Sequence, residues 1–273
     1  MAAPTPPRAL SIAGSDSGGG AGVQADLKAF AACGVHGMTA ITAITAQNTV
    51  GVVAVHQIPP ATIVAQVRAV VDDIGVDAVK IGMLGTTATI DAVLVALELL
   101  PPETPVVVDP VMVSEFGAVL LDADARQSLV SRLLPRATVV TPNIPEARAI
   151  AQLAADPGDP AGLDDVEALA SAIHALGPAA VVVTGGHRES AADLFFDDSG
   201  AVEIPGERLP DGAAHGSGCT HSSVLAARLA WGDSSLQAAR EAKRLASNAV
   251  ANGLRGIGAG AGPVDVLGLA HRL

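Results

Sequence analysis

The sequence predicts an α/β fold in which a central, mostly parallel sheet is covered by helices. Short β-branched runs alternate with segments whose apolar residues recur every three or four positions, which is the signature of strands joined by crossover helices. Two glycine-rich turns, about two hundred residues apart, each follow an extended segment and open a helix. The chain has 273 residues and 49% hydrophobic content, enough to bury a sizeable core.

Taken in order, residues 1–8 read as a flexible tail and residues 9–13 as the first strand. The turn GSDSGGGAGVQAD, residues 14–26, then enters a helix, and residues 38–46 form the next strand. Ile63, Val67, Val70, Val71 and Ile74 mark a helix with one buried face, as do Ile90, Val93, Leu94 and Leu97 after a strand at residues 78–82. Further strands are expected at 106–109, 138–141 and 180–184. Segments 193–196 and 201–204 have no helix between them and predict an antiparallel pair near the sheet edge. The second turn, HGSGCTHSS at 215–223, leads into two closing helices. Residues 154–165, AADPGDPAGLDD, read as a surface loop and not as a linker, because βα alternation continues on both sides. The expectation is therefore a single domain over 1–273, and no internal repeat is evident.

Composition narrows the function. With 16 basic and 28 acidic residues, net charge −12, the chain lacks the clustered Lys and Arg needed to grip nucleic acid or an anionic membrane. No apolar run reaches the roughly 18 residues of a membrane span, and MAAPTPPRAL has no secretory apolar core. Cys33 and Cys219 are too few for a disulfide framework, so a cytoplasmic protein with a small-molecule partner is expected.

The glycine turns point to phosphate handling, since a helix N-terminus offers unpaired N–H groups and the positive end of the dipole. A Walker A loop is absent, because no glycine precedes a lysine. Gly20, Gly22 and Ala25 match the dinucleotide fingerprint, but the next strand ends in TAITAQNT without the acid that would hold a ribose. In the second turn, the amides of Gly216, Ser217, Gly218 and Cys219 are placed to cradle a phosphoryl group in transfer. Cys219 has two open readings. A thiol whose pKa is lowered at a helix N-terminus takes a proton from a substrate hydroxyl, whereas a small residue in a tight turn is merely buried.

The segments AGSDSGGGAGVQADLKAF, TAITAQNTVGV, VKIGML, VVVDPVM, VVTPNIPEA, TGGH, HGSGCT and GPV occur in order from about residue 9 to 264. Together they resemble the hydroxymethylpyrimidine and phosphohydroxymethylpyrimidine kinases of thiamin biosynthesis, in the ribokinase superfamily. The resemblance implies a three-layer α/β/α ribokinase-like fold, usually a homodimer. It also implies ATP- and Mg²⁺-dependent phosphorylation of 4-amino-5-hydroxymethyl-2-methylpyrimidine, then of its monophosphate.

Carried onto this chain, the resemblance makes Gln47 a partner for the aminopyrimidine edge, which its donor and acceptor atoms suit. It turns Asp26 toward the substrate, with Gly14, Met83 and Val111 lining the pyrimidine pocket. Asp109, Asn143, Glu146, Thr184 and Lys243 fall in the nucleotide, phosphate and magnesium region. Against these roles, Asp26 reads equally as a solvated helix acid, Glu146 as a helix cap beside Pro145, Met83 and Val111 as core, and Lys243 as a solvated helix lysine. His187 and His215 also match family positions, but the seven histidines show no HxxxH or HExxH spacing, and no transition-metal site is assigned.

Departures from the family pattern concern charge. Thr184 stands where the family has a lysine before GGH, and the segment VSEFGAVLL lacks the basic residue near Glu115 and the acid at Ala118. The approach RLPDGAAHGSGC is also unusual. Two other readings therefore accompany the pyrimidine kinase: a pyridoxal or pyridoxine kinase, and a non-catalytic pyrimidine-binding module. The glycines of residues 14–20 read as a moving cover.

Overall fold

The computed structural model describes residues 5–113, 117, 119–154, 165–185, 191–209 and 213–271. Nine strands form one sheet in the order β3-β2-β1-β4-β5-β6-β7-β8-β9. Those strands are β1 (Arg8–Asp16), β2 (His36–Asn48), β3 (Gly51–Gln57), β4 (Ala78–Ile81), β5 (Val106–Val108), β6 (Val139–Val140), β7 (Ala180–Val183), β8 (Asp193–Asp197) and β9 (Gly200–Ile204). The six from β2 to β7 are mutually parallel, while β3, β8 and β9 pair antiparallel at the two edges.

The central strands are mostly apolar on both faces because helices cover both, with Ser11 of β1 and Lys80 of β4 as buried polar exceptions. Val106 and Val108 of β5 join one core and Val107 the other; Val181 and Val183 of β7 likewise oppose Ala180 and Val182. On the first face lie α2 (Pro60–Asp73), α3 (Thr87–Leu97), α4 (Ala123–Ser128), α5 (Ile144–Ala154) and α6 (Val166–His174). On the second lie α1 (Gly22–Ala32), α7 (Ser217–Ala230) and α8 (Ser235–Ala251), packed through Phe30, Val224, Leu225 and Ala238. The layering is α/β/α, as the pattern of alternation predicts.

The predicted strands are all present, with β1 and β2 running longer than read. Arg8 belongs to β1 and not to a tail: its backbone and guanidinium both bond Asp77. β3 was not anticipated. It has no inward face, with Val53 83% exposed, so it shows none of the alternation by which a half-buried strand is read. The 154–165 loop, apart from its ends, and Glu115, Ala118 and His187 lie outside the described residues.

The order of the sheet places the site. The chain moves from β1 outward to β2, then returns to the other side of β1 with β4. Such a switch point opens a crevice at the carboxyl ends of the strands, where open α/β sheets bind ligands.

Candidate active site

A cavity of about 620 Å³ occupies that crevice, at the carboxyl ends of β1, β4, β5, β6 and β7. Gly14, Gln47, Met83 and Val111 line one part of it. Asp109, Asn143, Glu146 and Thr184 line another, and the turn from Gly216 to Cys219 closes a third side. A side chain at Gly14 would press on the Met83 sulfur, 3.3 Å from a Cβ placed there. Twelve of the fourteen residues singled out from sequence thus meet in one cavity; Asp26 and Lys243 do not.

Asp26 is fully buried beneath the cavity floor. One carboxylate oxygen accepts from Lys80 Nζ at 2.9 Å and from Ser223 Oγ at 2.7 Å; the other accepts from Ser11 Oγ at 2.5 Å. Here it is the counter-ion of Lys80, with three donors already on its carboxylate and no place among the residues that line the cavity. Lys243 lies apart, in a second cavity of about 710 Å³ beside Gly206 and Arg240. There its ammonium bonds Asp193 at 2.8 Å and the Ala191 carbonyl at 2.5 Å, neither of which a solvated helix lysine would hold.

The two glycine turns touch, and they divide their work. Gly216 has φ of 82°, and a Cβ there would lie 1.8 Å from the Gly20 carbonyl oxygen, so glycine is required for the close approach. In the first turn the amides of Gly18, Gly20 and Ala21 donate to the Asp16 carboxylate at 2.7, 3.0 and 2.9 Å. These donors are therefore engaged, and the first turn is not a phosphate cradle. Lys28 Nζ bonds the Gly19 carbonyl at 2.6 Å and His215 Nε2 stands 3.2 Å from Asp16. In this conformation the first turn is held against the wall of the cavity by these contacts. Although burial alone would raise the Asp16 carboxyl, His215 and the Ala21 and Gly18 amides hold it below its usual range.

In the second turn, the Ser217 amide donates to the Ala214 carbonyl at 2.9 Å. The amides of Gly218 and Cys219, in the first turn of α7, have no acceptor among the described residues and face the cavity. The anion cradle is these two groups together with the positive end of α7.

Charges behind the turn set its chemistry. Lys80, completely buried in β4, stands 2.9 Å from Asp26 and 3.8 Å from Asp109. Burial would lower its pKa, but Asp26, Cys219 and Asp109 hold the ammonium above its usual value. Asp109 accepts from Ser222 Oγ at 3.0 Å; burial pushes its carboxyl up, with Lys80 and Ser222 opposing. Cys219 is partly open to the cavity, yet burial pushes its thiol up to about 12, with Lys80 and the Gly22 amide pulling down and Asp109 and Asp26 pushing up. Of the two readings of Cys219, the raised thiol agrees with the buried residue and not with the lowered one, since burial, Asp109 and Asp26 all act against ionisation.

Asn143 and Glu146 cap α5 reciprocally, the Asn143 amide donating to Glu146 at 2.9 Å and the Glu146 amide to Asn143 Oδ1 at 2.9 Å. Burial, and next the charge of Asp109, push the Glu146 carboxyl up to about 8. Capping and cavity roles coexist in one residue. Asp109 and Glu146, two carboxyls on one cavity, are the residues that would hold a magnesium ion, which commonly takes one or two carboxylates and keeps several waters. Among the described residues no three His, Cys, Asp or Glu side chains converge to hold a metal unaided.

Sequence reasoning passed over Lys80, Asp16, Ser222, Asp193 and His221. The signal for Lys80 was present: a charge inside the buried parallel strand AVKI has to be paired. His221 Nε2 stands 3.2 Å from Asp193, which also receives the Gly185 amide at 2.9 Å; no local pattern foretells that meeting of α7 with β8.

A cradle of helix-end amides opposite a carboxylate, at the switch point of an α/β/α sheet, defines the class as a ribokinase-like kinase of a small molecule. Residues 16–265 match the family described as phosphomethylpyrimidine kinase, and the chain belongs to that family. It is 48% identical over 264 residues to the hydroxymethylpyrimidine/phosphomethylpyrimidine kinase of Rhizobium meliloti, covering 94% of this chain and 95% of that one. Its structure is similar to that of Bacillus subtilis pyridoxal kinase in an ADP complex, with TM-score 0.85, 38% identity, and 98% and 100% of the two chains covered. It is also similar to the phosphomethylpyrimidine kinase of Clostridium difficile, with TM-score 0.74, 40% identity, and 87% and 96% covered.

Two consequences are testable. Lys80→Met should cost about 3–5 kcal/mol in urea unfolding by leaving Asp26 uncompensated, and adding Asp26→Asn should recover part of it. A single variant as stable as the double would remove the pair from the core. Glu146→Gln should raise the melting temperature at pH 8–9 and leave it unchanged near pH 4. The native carboxyl holds its proton to about 8 while the unfolded one releases it near 4.5, so wild-type stability falls as pH rises between those values and the variant's does not.

Proposed function

We propose that this chain transfers the γ-phosphoryl group of ATP to the hydroxymethyl oxygen of 4-amino-5-hydroxymethyl-2-methylpyrimidine and then to its monophosphate, in thiamin biosynthesis. The observation that carries the reading is the juxtaposition, in one cavity, of Gln47 and the apolar wall of Met83 and Val111 with the free amides of Gly218 and Cys219. Gln47 orients the ring by its amide. The two amides receive negative charge developing on the transferring group, already aimed and without reorganisation. Cys219 faces the attacking hydroxyl as a strong but scarce base, and Lys80 stabilises its thiolate when the proton moves. Asp109 and Glu146 would hold a magnesium ion brought with the nucleotide, which supplies charge neutralisation at the phosphates. Thr184 lines the same region with a hydroxyl, its amide fixed to the Pro142 carbonyl at 2.8 Å.

Likeness to pyridoxal kinases gives a second substrate reading, a pyridoxal-type ring in the same pocket. A homodimer is proposed through the β2–β3 edge, where Ile44 of β2 and Val53 and Val55 of the edge strand β3 expose apolar side chains. No helix among the described residues is long and apolar enough to cross a membrane, which is compatible with the cytoplasmic setting proposed for this single-domain chain.

The test offers both pyrimidines and pyridoxal with Mg-ATP and identifies products by mass. Conversion of both pyrimidines is expected; conversion of pyridoxal alone would transfer the assignment to the second reading, and binding without any product would leave a pyrimidine-binding module. In the same assay Cys219→Ala should lower kcat by roughly 10²-fold with little change in KM, and an unchanged rate would remove the thiol from the mechanism.

A further inference from the structure

We propose that Arg126 is the side chain by which this cavity grips a phosphate group, the guanidinium binding either the phosphomonoester of the acceptor or the terminal phosphates of the nucleotide. The proposal rests on the kinase reading above and adds to it a residue that neither the motifs nor the glycine turns indicate.

The cavity is lined by the acids Asp16, Asp109 and Glu146, and among the described residues three of its side chains can carry positive charge: Lys80, His215 and Arg126. Two of these are engaged. Lys80 is enclosed between Asp26 and Asp109, and the His215 ring lies 3.2 Å from Asp16. Arg126 differs. Among the described residues its guanidinium makes one hydrogen bond, a long one from Nε to the Leu121 carbonyl at 3.4 Å, and no carboxylate lies within ion-pairing distance. The Nη groups, which form the outer edge of the fork, are left free on a half-buried side chain that borders the cavity.

The backbone beneath Arg126 is fixed. Leu121 bridges to Gly85, the Asp122 amide donates to the Gly85 carbonyl at 2.9 Å, and Ala125 is completely buried. Arg126, on α4, and the Gly218 and Cys219 amides, on α7, thus border one cavity from helices on opposite faces of the sheet. A dianionic phosphate entering among three acids needs a cation, and Thr184 supplies none. A guanidinium remains charged at any working pH and presents parallel N–H groups matched to phosphate oxygens.

Calorimetric titration in magnesium-free buffer, with ligand pairs differing only in phosphate, decides the matter: hydroxymethylpyrimidine against its monophosphate, pyridoxal against pyridoxal 5′-phosphate, and adenosine against ADP. Arg126→Gln should weaken the phosphate-bearing ligand of at least one pair tenfold or more and change its phosphate-free partner less than twofold, with Arg126→Lys between. Loss confined to the monophosphates assigns the residue to the acceptor, and loss confined to ADP assigns it to the nucleotide. Unchanged affinity for all three phosphates, or equal loss within every pair, overturns the proposal. Should neither pyrimidine bind the wild type, the substrate reading fails, and the remaining two pairs still decide the role of Arg126. Melting curves of both variants identify any loss of fold.

Discussion

The buried ion pair between Lys80 and Asp26 is the constraint on which the site depends. Taking two charges out of water costs several kcal/mol each, which attraction offsets only where geometry is good and the remaining lone pairs are satisfied. Here Ser11 and Ser223 complete the carboxylate's bonding, and Asp109 stands on the other side of the ammonium. The participants come from β1, β4, α1 and α7, with β5 supplying Asp109. Satisfying this one cluster fixes where both glycine-headed helices sit on the sheet. The glycines then allow contact that the polar cluster demands, Gly216 against the Gly20 carbonyl.

That contact gives the two turns different duties. Both are glycine-rich, both open helices, and from composition they look equivalent. The difference lies in Asp16, which takes up the amides of the first turn and with His215 ties it to the start of the second. An internal carboxylate occupies the place an external anion would need. In the second turn the Ser217 amide bonds the Ala214 carbonyl, but among the described residues no acceptor meets the amides of Gly218 and Cys219. Anion binding is thus decided not by the glycines but by whether a nearby carboxylate has already satisfied them.

Much of the architecture was legible because strand and helix periods differ and because central parallel strands are mostly apolar. The antiparallel pair β8–β9 was legible because too few residues separate its strands for a helix. β3 was not, since exposure on both faces leaves nothing periodic to detect. Within the site, residues carried by contiguous motifs, such as Gln47, Asn143 and the turn at 216–219, come together as read. Failures occurred where the role depends on what a side chain meets across the fold. Asp26 lies next to pocket-forming residues in sequence, but its face of α1 turns to Lys80 and Ser223. Lys243 is committed to Asp193, from a strand fifty residues earlier. Of the two readings of Cys219, the lowered thiol is disfavoured for a related reason: a helix N-terminus acts over one turn, whereas desolvation and the carboxylates of Asp109 and Asp26 depend on tertiary packing.

The same carboxylates leave the cavity with an unusual balance of protons. Asp109 raises both Cys219 and Glu146, so near neutrality both groups are largely uncharged and the cavity avoids concentrating negative charge in a dry space. The ammonium of Lys80 is held charged throughout. Groups arranged in this way respond to any cation placed between Asp109 and Glu146 by releasing a proton, and to an added anion by holding theirs more firmly. Positive charge that accompanies phosphates into the cavity would therefore lower the thiol's pKa, making its thiolate more abundant and a weaker base. The buried lysine makes this response possible, because it allows three carboxylates to surround one small cavity without forcing all of them to be neutral at once.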